Sequence, residues 1–421
     1  MNLTLSTTDF LLAFSEALDH ICPQVVDHHK DVAYWSGCLA RQARLTPQQQ
    51  RLTVQAALVH DIGIFSLKDR LTSLTFEFEL EGTHALAGAM LMAYAPVFSP
   101  HADIIRHHHD PFDSIAERPI PIESQVIYLA DRAAVLIDKH RPLWAQHREI
   151  IRMLQAHSGT KFNPALVSAF SSVLSREDAW RDLSRDRDRC IRQHLGDQPI
   201  PLTDETLMGL EKLMVRSIDF RSRYTAAHSA AVSHVVSRLA ALSGYDEEGR
   251  MMMRIAGSLH DIGKVIVPRE ILDKPGPLTP EERELMLQHP RHTFRILSSM
   301  KGMGRYAEIA AQHHERTDGS GYPSHLTDAG MHPESLLLTV ADMFTALAED
   351  LSYRLGMPRN RVLEILERYS ADNAAAKGAV GLVRVHYDSL QTGIRRVFSQ
   401  TLQEYEWFDS RIRHLGEQTA L

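Results

Sequence analysis

The chain has little cysteine, few aromatics, no surplus of positive charge and no long apolar run, and each shortage excludes a class of protein. Its 421 residues contain three cysteines, Cys22, Cys38 and Cys190. None forms a Cys-x-x-Cys pair, so neither a zinc ribbon nor a disulfide framework is suggested, and a reducing cytoplasm is the expected compartment. Aromatics make up 7% of the chain, and the 44% apolar content is mostly Ala, Leu, Ile, Val and Met. That balance favours helix over sheet. A net charge of −7 removes the general electrostatic case for binding DNA or RNA. There is no run of about 18 apolar residues, so no membrane span is expected. The opening Met-Asn-Leu-Thr lacks the basic region of a secretory signal. Histidine is the residue in excess, with 24 copies, many of them clustered.

The clusters centre on His260-Asp261-Ile262-Gly263-Lys264. An adjacent His and Asp, read as neighbours on one helix, offer the mixed nitrogen and oxygen donors that suit a divalent metal. Taken alone, such a dipeptide is common and serves equally well as a helix end. Its surroundings change the reading. His228, His289, His313-His314 and Asp342 fall into place around it, and Lys264 falls one turn beyond Asp261. Asp342 sits in an otherwise apolar helix, 334–349, where a carboxylate is costly to bury unless paired or bound to metal. The loop Asp318-Gly319-Ser320-Gly321-Tyr322-Pro323 directly follows the His-His pair, and its backbone NH groups can approach a phosphate or nucleobase closely.

The first half repeats the pattern. His60-Asp61-Ile62-Gly63 stands 200 residues before His260, and His28 stands 200 before His228. His84 precedes His289 by 205, His108-His109 precede His313-His314 by 205, and Asp131 precedes Asp342 by 211. The offset grows only between motifs, where loops vary in length. Two copies of one helical domain follow, and they are not equivalent. Ile64 replaces Lys264, and His108-His109 continue as Asp-Pro-Phe-Asp without the glycine-rich loop. Two readings of the first copy compete: a metal-binding but catalytically poor domain, or a scaffold whose histidines have become structural.

Helix-start signals place the elements. Thr46-Pro47, Asn163-Pro164, Thr203-Asp204 and Thr279-Pro280 read as N-caps with helix-opening residues. Residues 176–194 are highly charged and read as a solvated helix or connector. Gly196 to Pro201 breaks any helix and marks a boundary. The prediction is an all-α protein of two tandem helical bundles, 1–195 and 196–421. Trp407 and Phe408, in the helical tail, are expected to pack.

Taken together, His228, His260 to Lys264, His289-Pro290, His313-His314-Glu-Arg-x-Asp-Gly-Ser-Gly-Tyr-Pro and Ala341-Asp342 resemble the HD-GYP domain, a subgroup of the HD metal-dependent phosphohydrolases. The match covers roughly 205–370. The first half resembles a degenerate copy, including Gly159 to Pro164. HD-GYP proteins are bacterial phosphodiesterases that open cyclic dinucleotides, usually cyclic di-GMP, and tandem forms act on cyclic GMP-AMP. The resemblance therefore implies that His228, His260, Asp261, His289, His313, His314 and Asp342 hold two divalent metals, iron or manganese, around a bridging hydroxide. In it Asp261 bridges the metals, Lys264 stabilises or protonates at the phosphodiester, and Gly319, Gly321, Tyr322 and Pro323 wall the substrate. His28, His60, Asp61, His84, His108, His109 and Asp131 form the corresponding second site. Four positions depart from the pattern. Tyr224 stands where some members have a Glu for a third metal, and Thr345 replaces a common Asp. Leu351-Ser352-Tyr353 replaces the usual Arg-Pro-Tyr, which puts a cyclic di-GMP preference in doubt and leaves Arg354 as the phosphate contact. A different HD-type nucleotide phosphohydrolase, or a non-catalytic receptor or scaffold, are the alternatives. The first half is the regulatory or dimerising candidate, with a homodimer or signalling proteins as its partners.

Overall fold

Capping chemistry sets where the helices begin. In the structure, a computed structural model, the Thr46 hydroxyl accepts from the Gln49 amide at 3.3 Å while the Gln49 side chain accepts from the Thr46 amide at 3.2 Å. The same reciprocal box joins Thr279 and Glu282 ahead of Pro280. Asn163 caps through the Ala165 amide, and Asp246 through the Gly249 amide. Each satisfies an N-terminal donor that the helix itself leaves open. The structure describes residues 4–19, 27–64, 76, 83–116, 118–196, 199–201, 203–220, 227–349 and 356–419. Cys22, Tyr224, Leu351 to Tyr353 and Arg354 lie outside these.

The chain divides into two compact units, residues 1–210 with 410–421, and residues 211–409. The first contains α1 (Thr7–Asp19), α2 (His28–Gln42), α3 (Pro47–Ala57), α4 (Thr83–Met92), α5 (Ser99–Arg106), α6 (Ile122–Val135), α7 (His147–Ala156), α8 (Pro164–Leu174), α9 (Glu177–Arg185) and α10 (Arg187–Leu195). A short antiparallel pair, β1 (Thr4–Ser6) with β2 (Pro199–Pro201), joins its beginning to its end. Helix α11 (Asp204–Asp219) follows. The second unit continues with α12 (His228–Leu242), α13 (Glu247–Leu259), α14 (Pro280–Leu287), α15 (His289–Ser298), α16 (Gly304–Ala311), α17 (Pro333–Ala348), α18 (Arg359–Ser370) and most of α19 (Ala374–Thr419). The all-α prediction holds.

Two expectations need correction. Residues 176–194 are not a solvated connector. Ala179, Trp180, Leu183 and Ile191 are buried in the first unit, with the Trp180 ring 5.0 Å from that of Trp35. The dense charge occupies the opposite faces, apart from Arg187, which reaches inward to Asp31 at 2.6 Å. A narrow apolar stripe suffices to dock a helix when its residues are large. In the helical tail, Phe408 is buried as expected, but Trp407 is 57% exposed because it falls on the other side of α19.

The second unit's core joins Val232, Val235, Val236 and Leu239 of α12 to Leu338, Val340 and Phe344 of α17 and Val380 and Val383 of α19. Each such side chain contributes about 1.5–3 kcal/mol on burial. The consequence for function is positional: α12 and α17, locked together here, carry His228 and Asp342 at fixed heights.

Candidate metal centres

The His-Asp pair lies at a helix end and not within one helix. His260 is the C-cap of α13, and Asp261 opens a tight turn over Ile262–Ile266. That turn is pinned to α15. The Gly263 amide donates to the Thr293 hydroxyl at 3.0 Å, and that hydroxyl donates to the His260 carbonyl at 2.8 Å. Thr293 was invisible to sequence reasoning, since nothing distinguishes a helix threonine that bonds another segment from one that bonds its own turn.

Three histidines are oriented by one device. His260 Nδ1 donates to the Gly257 carbonyl, His289 Nδ1 to Met286 and His313 Nδ1 to Ala310, each at 2.7 Å. Spending the Nδ1 proton on a carbonyl three residues back leaves Nε2 as a lone pair facing the interior. The His289 and His313 Nε2 atoms then face each other at 3.2 Å. Two lone pairs that close call for a cation. His228 at the start of α12 differs: its Nε2 lies 3.0 Å from Asp342 and its Nδ1 3.5 Å from Glu349.

Asp261 connects the two sets. Its Oδ2 takes the Lys264 ammonium at 2.5 Å and lies 3.3 Å from His260 Nε2. Its Oδ1 lies 3.3 Å from His289 Nε2 and 3.9 Å from His313 Nε2, is buried, and makes no hydrogen bond. The donor atoms of His289, His313 and His314 lie within 4.8 Å of one another, as do those of His228, His260 and Asp261, and those of His260, His313 and Asp342. An orphaned carboxylate oxygen among imidazole lone pairs fits divalent metal.

Electrostatics separate the two sides. Burial presses His289 down to about 3 and His313 well below its usual range. Burial acts the same way on His228, but Asp342 and Glu349 outweigh it and raise the imidazole to about 10. Burial alone would also lift Asp261, yet His260 and Lys264 hold it well below the carboxylate range. Glu349 is 3% exposed, with its Oε2 3.5 Å from His228 Nδ1 and its Oε1 making no hydrogen bond. Glu349→Gln should weaken metal affinity by about 10–100-fold, as loss of an outer carboxylate does. Metal titration of apoprotein, compared with wild type, checks this.

The glycine-rich loop is built on Glu315, which is 1% exposed and accepts from the Ser324 and Leu326 amides at 2.6 and 2.9 Å. Tyr322 donates its amide to the His314 carbonyl and stacks on the His314 ring, 4.8 Å between centroids. The Tyr322-Pro323 bond is cis, and Arg291 donates to the Pro323 carbonyl at 3.1 Å. Gly319 takes φ of 76°, and a Cβ at Gly321 would stand 2.5 Å from the Glu315 backbone. The loop thus lies against His314, with Tyr322 bordering the metal donors. Thr345 is buried and donates to the Ala341 carbonyl.

The first unit assembles its own set. The donors of Asp61, His84, His108 and His109 lie within 4.8 Å of one another, and so do those of His28, His60 and Asp131. His60 and His108 are aimed by the Ala57 and Ile105 carbonyls, as their counterparts are. Ile64 is buried where the second copy has its lysine. Sequence reasoning overlooked Arg132, which is buried and places Nη2 2.6 Å and Nε 3.0 Å from Asp131 Oδ2.

With this geometry in view, two family models described as HD domain match the chain, over residues 25–136 and 212–374. The chain belongs to the HD-domain family. HD phosphohydrolases are metal-dependent, and the second HD domain carries the Gly-Tyr-Pro sequence that marks the HD-GYP subgroup. A Vibrio cholerae protein named 3'3'-cGAMP-specific phosphodiesterase 1 is 29% identical over 380 residues, 87% of this chain and 88% of its own length. A second from that organism, 3'3'-cGAMP-specific phosphodiesterase 3, is 31% identical over 65% of this chain and 62% of its own. A Thermotoga maritima cyclic di-GMP phosphodiesterase is 39% identical over 36% of this chain and 42% of its own. The solved structure of a cyclic GMP-AMP specific phosphodiesterase from Vibrio cholerae superposes with a TM-score of 0.62 at 21% identity, covering 90% of this chain and 98% of that one, and shares the tandem HD fold. Among the described residues, no helix is long and apolar enough to cross a membrane.

Proposed function

We propose that the chain is a metal-dependent phosphodiesterase that opens a cyclic dinucleotide to its linear form in the second HD domain, with cyclic GMP-AMP the preferred substrate. The observation that carries this is Asp261, whose two oxygens face separate imidazole groups while Lys264 sits on one of them. The substrate reading draws on two relatives that overlap 87% and 65% of this chain and are named for 3'3'-cGAMP. It also draws on Leu351-Ser352-Tyr353, which replaces an arginine-bearing triplet.

His228, His260, Asp261, His289, His313, His314 and Asp342 would hold two divalent ions, and this nitrogen-rich donor set suits iron or manganese better than magnesium. Such ions supply positive charge at the phosphodiester and make water nucleophilic at neutral pH. The residues do the rest. Lys264 holds a proton and a positive charge beside Asp261, where the ribose oxygen leaves phosphorus as water adds. Tyr322, Gly319, Gly321 and Pro323 shape the wall against which the base and phosphate lie, and Arg354 supplies a further phosphate contact. Lys264→Met should lower hydrolysis by about 10²–10³-fold, the usual loss of a charge-stabilising donor, while metal content changes little. Single-turnover assays beside metal analysis separate the two.

Division of labour follows the two copies, with residues 1–195 regulatory or dimerising and 196–421 catalytic. Partners would be a second copy of the chain or other signalling proteins. A cytoplasmic setting suits the free thiols of Cys38 and Cys190. The deciding experiment is anaerobic hydrolysis of cyclic di-GMP and cyclic GMP-AMP by iron- or manganese-loaded protein. Faster opening of cyclic GMP-AMP supports the proposal. No turnover of either, in protein holding metal, would make the chain a receptor.

A further inference from the structure

We propose that the first HD domain is a mononuclear centre: Asp61, His84, His108 and His109 hold one divalent transition-metal ion, and the Arg132 guanidinium takes the place of a second. This does not depend on the phosphodiesterase reading of the other domain.

Two observations meet here. The first is the donor set. Three imidazoles and one carboxylate bring their ligand atoms within 4.8 Å of one another in the buried interior. His108 is wholly buried, its Nδ1 is fixed on the Ile105 carbonyl at 2.6 Å, and its Nε2 makes no hydrogen bond. That Nε2 points at Asp61 Oδ1, 3.6 Å away, as does His84 Nε2 at 3.8 Å. A buried nitrogen lone pair aimed at a carboxylate oxygen is repelled unless a cation lies between them. Four protein donors make a closed shell of the kind structural ions occupy, and imidazole-rich donors favour zinc or iron among the divalent metals.

The second observation concerns the other half of the site. His28, His60 and Asp131 also bring their donors together, with His28 Nε2 3.1 Å from Asp131 Oδ1. The equivalent triad of the second domain has the same form, His228 Nε2 lying 3.0 Å from Asp342 Oδ1. The copies differ at the next residue. Asp342 is followed by Met343, and Asp131 by Arg132, whose side chain is 3% exposed and which binds Asp131 Oδ2 through both Nη2 and Nε. A guanidinium cannot shed its proton in a protein. A dication on His28, His60 and Asp131 would share a buried carboxylate with that fixed charge, where repulsion is poorly screened. Arg132 thus closes one half of the two-group layout and leaves the other intact. A closed, single ion with Ile64 in place of the lysine serves to pin α4 and the turns after α3 and α5 together, or to report metal supply, and not to hydrolyse.

The test uses the full chain with Asp261→Ala and His289→Ala, which clear the second centre, loaded with Mn(II) and freed of excess. Metal analysis and electron paramagnetic resonance read the number and the coupling of the ions. The expected result is one Mn(II) per chain with an uncoupled six-line signal. Adding His84→Ala with His108→Ala should remove it, adding His28→Ala should leave it, and adding Arg132→Met should raise the content towards two with exchange broadening. Retention of no metal overturns the proposal. So does retention of two ions with Arg132 present, or of one ion that is lost with His28→Ala. Should Arg132→Met fail to fold, the contrast between the His28 and His84–His108 variants still decides.

Discussion

Asp261→Ala should abolish hydrolysis, lowering kcat/KM by at least about a thousandfold, or ~4 kcal/mol of transition-state stabilisation. It should also empty both halves of the centre. Asp261 is the side chain whose oxygens address both imidazole groups, His260 through Oδ2 and His289 with His313 through Oδ1. Removing it leaves the Lys264 ammonium, 20% exposed, without the carboxylate that holds it. Like charges then face each other where metal should bind. Asp261→Asn tests charge at constant shape: it should fold as well as wild type yet lose most of the metal. Metal analysis and product chromatography on the same samples give the answer. Hydrolysis within tenfold of wild type in either variant would place the chemistry elsewhere.

Gly263→Ala should be the most damaging of the conservative substitutions, costing about 3 kcal/mol and roughly 6–12 °C in Tm for a domain of this size. A Cβ there would stand 1.9 Å from the His289 carbonyl oxygen and 2.6 Å from the Thr293 amide. Both are backbone atoms, so no rotamer change relieves the clash. Either the turn after α13 moves, displacing Asp261 and Lys264, or the start of α15 retreats and carries His289 with it. Loss of stability and loss of metal should therefore appear together. The first unit has the same packing, with Gly63 facing the His84 carbonyl at 2.1 Å, so Gly63→Ala should destabilise that unit comparably. Gly378→Ala in α19 is the control. Nothing lies within 4 Å of its Cβ position, and alanine there should be neutral or gain up to about 1 kcal/mol of helix propensity. Thermal unfolding of the three variants checks the order.

The candidate ligands stood out in the sequence because the histidines cluster and the clusters recur at a nearly constant offset. The 200, 205 and 211 offsets aligned two copies, and in each the structure gathers the histidines and aspartates into close-set groups. Helix starts were legible where chemistry is local, as at Thr46-Pro47 and Thr279-Pro280. The residues that support the ligands were not. Glu315, Glu349, Thr293 and Arg132 are common types in helices, and their importance arises from partners 9 to 121 positions away or from burial. Arg132 is instructive, since its partner is its own neighbour, yet adjacent Asp and Arg on a helix usually splay apart into solvent. Only the packing of α6 turns both inward. Residues 176–194 misled for the opposite reason: their charge density masked four buried side chains.

Tryptophan placement gives each half of the molecule its own optical signature. Of the four tryptophans, Trp35, Trp144 and Trp180 belong to the first unit and Trp407 to the second. Trp35 and Trp180 are sealed from water and pack edge to face, whereas Trp407 is largely exposed. Emission from the sealed pair should lie to the blue of Trp407 and shift red only when the first unit opens. Intrinsic fluorescence can then follow the first unit almost alone, while helix melting followed by circular dichroism reports on both. A ligand, metal or partner that acts on the first unit would announce itself by colour before any change in turnover.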